Sequence, residues 1–201
     1  MSDDPDLKKR SRHLQMVEPS AWFARHQRII AKGGSVLDIA AGGGRHARFF
    51  AEQGHHVVAV DRNIDPLISL KESHSCEVIE ADLEDGSPWP LSGRTFDAVI
   101  VSNYLYRPLF DQLIGSLAPN GVFLYETFAL GNEVYNRPRN PDHLLKSGEL
   151  LQHVAGKLQV IGYQHGILQG DECPGVKQMI CAVHNLDISD REDGEPAPYD
   201  L

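Results

Sequence analysis

The sequence predicts an α/β fold, a mostly parallel sheet with helices on both faces, and three observations predict it. Residues 36–61 read as strand, glycine turn, helix and second strand. Residues 96–102, F-D-A-V-I-V-S, form the near-continuous apolar run of a central parallel strand covered on both faces. Residues 158–168 and 176–184 are two further strand-like runs joined by a turn through Gly170 and Pro174-Gly175, a closing antiparallel hairpin.

The first of these stretches sets the chemistry. Val36, Leu37 and Ile39 make an apolar run that stops at Gly42, Gly43 and Gly44, after which Ala47, Phe49, Phe50 and Ala51 recur at helical spacing. Gly54 closes that helix, and Val57 to Val60 lead into Asp61. Glycines let the backbone approach a ligand that a Cβ would push away, and the N-H groups opening the helix face it. Asp61 stands where a carboxylate accepts the hydroxyls of a ribose. Gly42, Gly44 and Ala47 meet the dinucleotide spacing G-x-G-x-x-A, so a nicotinamide enzyme is one reading. Asp38 favours another. A fixed negative charge four residues before Gly42 opposes a pyrophosphate and suits a cationic ligand, such as the amino acid part of S-adenosylmethionine.

Here the stretch resembles motif I of the class I S-adenosylmethionine-dependent methyltransferases, with D-I-A-A-G-G-G over residues 38–44 in place of D-x-G-C-G-x-G. It departs at Ala40 and Ala41, both small enough to keep the turn. The resemblance covers about residues 33 to 185 and implies a Rossmann-like fold, with a seven-stranded, mostly parallel sheet and a C-terminal antiparallel hairpin. It implies S-adenosylmethionine as cofactor, with contacts at Asp38, Ala40, Gly42, Gly44, Asp61, Arg62, Asp82, Leu83 and Asn103. Within the class the chain resembles small bacterial enzymes of the tellurite-resistance type and other small-molecule methyltransferases without a separate substrate domain.

At 201 residues and 41% hydrophobic content, one α/β domain with a sizeable core is expected over residues 18–185. A polar, flexible segment is expected over 1–17 and an acidic, disordered tail over 186–201. No run of about 18 apolar residues is present and the N-terminus is acidic, which predicts no membrane span and a cytoplasmic protein. Cys76, Cys173 and Cys181 are too few for a disulfide framework and read as reduced thiols. The net charge of −9 is uneven: the tail from Leu186 holds six acids and one arginine, a net −5, which leaves −4 for the rest. Lys8, Lys9, Arg10 and Arg12 form a small basic cluster, read first as a solvated segment and only second as a phosphate contact. With no aromatic-interleaved basic stripe beside it, nucleic acid is not the expected partner.

In chain order, Pro19 and Ser20 introduce Ala21, Trp22, Phe23, Ile29 and Ile30 on a helical period that ends near Gly33-Gly34. In the resembling family such a helix often covers the cofactor; a helix packed on the sheet edge is the plainer reading. Arg62 and Asn63 are placed toward an adenine, and Pro66 opens a helix over 65–73. Residues 76–80 are a third strand, followed by Asp82 and Leu83, which match the family's adenine contact. The fourth strand, 96–102, delivers Asn103, Tyr104 and Tyr106 at its carboxyl end, where open α/β sheets hold ligands. An amphipathic helix over 109–117 stops at Ala118-Pro119-Asn120-Gly121, resembling the family's L-x-P-G-G turn, with Asn120 tolerating the left-handed conformation. The fifth strand spans 122–127 and ends at Glu126 and Thr127. Residues 128–145, with Arg137 and Arg139 flanking a proline, lie where this fold inserts its substrate loop. Ser147 is a candidate cap for a helix over 147–154.

A sulfonium makes its own methyl electrophilic, so alignment and exclusion of water are the protein's main tasks. Asn103, Tyr104 and His143 are the candidate catalytic residues, with Glu126 and His165 as further candidate bases for an oxygen or nitrogen acceptor. Tyr106, Glu126, Arg137 and Arg139 are the candidate substrate contacts. The histidines and cysteines show no metal-ligand spacing, and no metal is expected. A chain this short favours a small-molecule acceptor. The alternatives are an RNA or protein methyltransferase, a non-catalytic cofactor-binding regulator, and an NAD-dependent oxidoreductase; oligomeric state is open.

Overall fold

Seven strands, β1 (Ser35–Ile39), β2 (His56–Asp61), β3 (Cys76–Glu80), β4 (Phe96–Ser102), β5 (Leu117–Phe128), β6 (Gln159–Leu168) and β7 (Gly175–Val183), form one sheet. Its order is β3-β2-β1-β4-β5-β7-β6. The computed structural model describes residues 18–169, 174–189 and 191–200. The basic cluster Lys8, Lys9, Arg10 and Arg12, Gly170 of the hairpin turn and Cys173 lie outside them. The first five strands in the order are parallel; β7 is antiparallel to both β5 and β6, which forms the expected closing hairpin.

Each face of the sheet carries its own core. Alternate residues of the strands point to opposite faces. Leu37, Ile39, Val99, Val101, Phe123, Tyr125 and Ile180 face one way, against helices α3 (Phe110–Gly115) and α4 (Glu149–Val154). Val36, Ala98, Ile100, Val122, Leu124 and Cys181 face the other, against α1 (Ala21–His26), α2 (Arg45–Glu52) and a 3-10 turn over Asp65–Leu70. The chain winds outward from β1 on one side and from β4 on the other, so the carboxyl ends of these two strands border the crevice where such sheets take ligands.

Local chemistry explains most element ends. Ser20 caps α1 by accepting from the Trp22 N-H at 3.2 Å. The expected helix over 65–73 is instead a 3-10 turn over Asp65–Leu70. Its two buried side chains, Leu67 and Leu70, are three residues apart and so stand one above the other on a 3-10 turn. The expected cap at Ser147 is not used. Left-handed Gly148 starts α4, and the Glu149 carboxylate turns back to accept the Lys146 N-H at 2.7 Å. Strand β5 starts at Leu117, five residues ahead of the expected Val122, because the Pro119-Asn120-Gly121 turn bulges within it while Leu117 pairs with Phe96. Asn120 adopts the left-handed conformation there (φ 63°), and a Cβ on Gly121 would stand 2.9 Å from the Phe96 carbonyl.

The acidic tail folds back on β6. Gln159 Nε2 donates to the Ala197 carbonyl at 3.3 Å, and Tyr199 is half-buried against the α1/α2-side core. Among the described residues no helix is long and apolar enough to cross a membrane.

Candidate cofactor and acceptor site

The turn between β1 and α2 is built from left-handed backbone: Ala40 (φ 53°), Gly42 (φ 55°) and Gly44 (φ 75°). At Gly44 the requirement is also steric, since a Cβ would stand 2.6 Å from Leu67 Cδ2 and 2.8 Å from Leu70 Cδ1. Asp61, at the end of β2, ties the turn down. Its Oδ2 accepts the Gly42 N-H at 2.8 Å and its Oδ1 the Asn63 N-H at 2.9 Å. Each carboxylate oxygen keeps a second lone pair for a ligand hydroxyl.

Asp38 is 1% exposed, and its Oδ2 is buried without a hydrogen-bond partner. Burial pushes its carboxyl up to about 7, against the opposing pull of Arg45 and the Ala47 backbone amide at the start of α2. Across the crevice Asn103 (φ 55°) donates its backbone N-H to the Glu126 carbonyl at 2.9 Å, and its Oδ1 is also buried without a partner. Two unmatched oxygen acceptors, one able to carry charge, therefore border the ends of β1 and β4. Such acceptors are costly to bury unless a ligand donates to them.

On the opposite side of the glycine turn, Arg62, Asp82 and Leu83 line a cleft of about 470 Å³ with Trp89, Leu109 and Gln112. The structure thus brings together the residues expected around an adenine. Asp82 Oδ1 accepts the Glu84 N-H at 3.0 Å, which leaves Oδ2 for a ligand. Tyr104 is half-buried beside Glu84, and burial first, then the Glu84 charge, raises its phenol above the usual range, so it is not a base at neutral pH. Tyr106 is half-buried at the edge of the α3/α4-side core.

The α1/α2 face carries a polar row at the same end of the sheet, formed by Asp38, Ser102, Glu126 and Lys177 from β1, β4, β5 and β7. Glu126 was expected to touch substrate. It is 3% exposed, and its oxygens are taken up by the hydroxyls of Ser20 and Ser102, the latter at 3.1 Å, and by Lys177 Nζ at 3.3 Å. Burial raises its carboxyl, but Lys177, Ser20, His46 and Arg45 outweigh burial and hold it below the usual carboxylate range. Such a group is a poor general base, and its place is to anchor its neighbours. Ser20 also donates its backbone N-H to His46 Nε2 at 3.1 Å. Burial and the adjacent Arg45 push His46 down to about 3, so it stays the neutral acceptor this bond requires. Arg45 bridges from α2 to Ser102 Oγ and the Glu18 carbonyl, each at 3.3 Å. Sequence reasoning missed Ser20, Arg45, His46, Ser102 and Lys177; only the period-2 alternation of Asp38, Ser102 and Glu126 with the apolar residues hinted that one face turns polar at this end.

Arg137, Arg139 and His143 are exposed on the 128–145 segment, and His165 is exposed on the edge strand β6. That segment is held by Arg107, which sequence reasoning also missed. Its guanidinium donates to the Asp142 and Leu144 carbonyls at 2.7 and 2.9 Å and to both oxygens of Glu149. Among the described residues no group of three or more His, Cys, Asp or Glu is placed to hold a metal ion.

Residues 36–121 match the family model described as a methyltransferase domain. Over 149 residues the chain is 28% identical to a malonyl-[acyl-carrier protein] O-methyltransferase of Pectobacterium atrosepticum, covering 70% of this chain and 57% of that protein. Over 104 residues it is 34% identical to a demethylmenaquinone methyltransferase of Corynebacterium urealyticum, covering 51% of this chain and 43% of that one. The chain thus spans about half the length of these curated relatives. In fold it is similar to TehB from Haemophilus influenzae, with a TM-score of 0.70 at 14% identity, over 87% of this chain and 65% of TehB. The chain is thus similar to a methyltransferase domain in sequence over residues 36–121 and to TehB in fold over most of its length.

Proposed function

We propose that the chain transfers the methyl group of S-adenosylmethionine to a small-molecule acceptor. The observation that carries the reading is the buried, unpartnered Asp38 Oδ2 at the carboxyl end of β1, matched by the unpartnered Asn103 Oδ1 across the crevice. An ammonium satisfies both; a pyrophosphate satisfies neither. When bound, the cofactor supplies a sulfonium-activated methyl group. Asp38 and Asn103 hold its amino acid end, the backbone of Ala40, Gly42 and Gly44 lets it approach the turn, and Asp61 accepts its ribose hydroxyls. Arg62, Asp82 and Leu83 take the adenine, Tyr104 and Tyr106 wall the acceptor side, and Arg137, Arg139 and His143 contact the acceptor from the 128–145 segment. Asn103 orients the reacting end. The malonyl-[acyl-carrier protein] and demethylmenaquinone in the names of the two relatives favour an acceptor other than a nucleic acid.

Calorimetric titration with S-adenosylmethionine, S-adenosylhomocysteine and NADH, on the wild type and on Asp61→Ala, tests the cofactor. Micromolar binding of the two sulfur ligands that Asp61→Ala loses supports the reading; binding of NADH alone overturns it. Incubation with methyl-labelled cofactor and separated metabolite, RNA and protein fractions tests the acceptor. Label in the metabolite fraction supports a small acceptor, label in RNA or protein overturns that part, and none in any fraction makes the chain a cofactor-binding module.

A further inference from the structure

Strand β6 (Gln159–Leu168) ends the strand order, and its ten residues include no Lys, Arg, Asp, Glu or Pro. Every second residue of such an edge strand turns its N-H and C=O away from the sheet. Among the described residues, nothing hydrogen-bonds that outward side of the backbone from Val160 to Leu168. The acidic tail bonds only the start of the strand, where Gln159 Nε2 donates to the Ala197 carbonyl. Edges of this length are ordinarily blunted by charge or proline, because a bare one pairs with another chain.

The edge is complementary to itself. Its two exposed large apolar side chains are Val160 and Ile167, at 42% and 48%. An odd separation of seven positions would put them on opposite faces of a regular strand, but the bulge between Val160 and Gly162 brings both to the α3/α4 face. Val160, Gln164 and Ile167 pair with Ala182, Met179 and Val176, which are evenly spaced along β7, so Gln164 is the midpoint. Let a second copy run antiparallel, with Gln164 facing Gln164. Val160 then meets Ile167 of the second copy and Tyr163 meets its His165, all on the α3/α4 face, while Gly162 meets Gly166 on the other. A two-fold axis repeats each contact. Charge points the same way. Copies of a chain with net charge −9 repel over most of their surface, and this edge brings no charged side chain against another.

We propose that the chain forms a two-fold symmetric dimer in which β6 pairs antiparallel with β6 of a second copy, centred on Gln164, so that the two sheets become one. The carboxyl ends of β1 and β4 lie inward of β5 and β7 from this edge, so each copy keeps its own crevice. The dimer therefore does not depend on the methyltransferase reading.

Sedimentation equilibrium of the full chain from about 5 to about 500 µM tests it. One strand pair is a small interface, so a Kd of about 1–100 µM is expected. Val160→Lys and Ile167→Glu should each weaken the dimer about tenfold or more, because each sets a charge against an apolar side chain of the second copy. Combining them opposes an ammonium to a carboxylate at both ends of the pairing, and should recover at least about threefold of the loss. Two cysteine variants read the register. Under mild oxidation Gln164→Cys should give a disulfide-linked dimer, since opposed Cα atoms of an antiparallel pair lie about 4.5–5.5 Å apart, within reach of the bond. Gly166→Cys, which has open space for its side chain but opposes Gly162 of the second copy, should not. The wild type is the blank for Cys76, Cys173 and Cys181. A chain that stays monomeric to the top of the range overturns the assignment, whether its own residues or another protein closes the edge. So does a dimer that neither charged variant weakens, or one in which Gly166→Cys links as readily as Gln164→Cys. Should a charged variant not fold, the wild-type sedimentation and the two cysteine variants decide.

Discussion

Arg107 Nε donates to Glu149 Oε1 at 2.6 Å and Arg107 Nη2 to Glu149 Oε2 at 3.1 Å, a two-point ion pair between the 3-10 turn that leads into α3 and the start of α4. The same guanidinium holds the Asp142 and Leu144 carbonyls, so one side chain ties the 128–145 segment to the turn that leads into α3. Glu149 is 9% exposed against 34% for Arg107, so losing the cation strands a carboxylate in a largely dry place. Arg107→Ala should cost about 2–3 kcal/mol of stability by chemical denaturation. Adding Glu149→Gln should recover part of that loss, since the stranded charge is removed. A loss below about 0.5 kcal/mol would mean that the clamp carries little, as exposed ion pairs do.

Asp38 predicts how cofactor affinity depends on pH. Its carboxyl is held up at about 7 by burial, and binding an ammonium requires the ionised form. Below pH 7 a proton must leave on binding, so affinity for S-adenosylhomocysteine should fall, toward about tenfold per pH unit as the limit. Asp38→Asn should bind weakly at pH 8 and show no such slope between pH 5.5 and 8. Calorimetry across that range decides it.

His46 predicts a stability slope. The unfolded chain takes up the His46 proton near 6.5, whereas the folded chain resists until about 3. The unfolded state therefore holds more protons across that window, and stability falls as the medium is acidified, by at most about 1.4 kcal/mol per pH unit. His46→Gln keeps an acceptor for the Ser20 N-H but removes the titration. Urea denaturation from pH 4 to 7 should show a flatter profile in the variant; parallel profiles would place the proton elsewhere.

Gly44 combines two constraints, a left-handed backbone and contact with Leu67 and Leu70. Gly44→Ala should lose about 2–4 kcal/mol, from strain and from the displaced leucines. Gly43→Ala is the contrasting variant, since Gly43 is not among the left-handed residues. It should be closer to wild type in thermal unfolding.

Much of the sheet was legible in the chain because its signals are local. Short runs rich in β-branched residues marked β1, β2, β3 and β4 to the residue or nearly so, and the order of these elements with a closing hairpin left few arrangements. The left-handed positions at Gly42, Gly44 and Asn120 announced themselves by residue type. Elements broke from expectation where competing local terms were close. The 65–70 turn chose three-residue spacing, and Glu149 displaced Ser147 as the helix-start acceptor.

The chain by itself marked the glycine turn with Asp38 and Asp61, because these lie in one stretch and their chemistry is carried by residue type and spacing. The polar row under α1 was decided by tertiary structure alone. Ser20, His46, Glu126 and Lys177 are separated by up to 157 positions, and although Glu126 stood out as an acid at a strand end, nothing local marks their meeting. They meet because β4, β5 and β7 align their ends in register and α1 is capped over them. The balance that then sets Glu126 down and keeps His46 neutral is a property of burial and distance, which no linear spacing encodes.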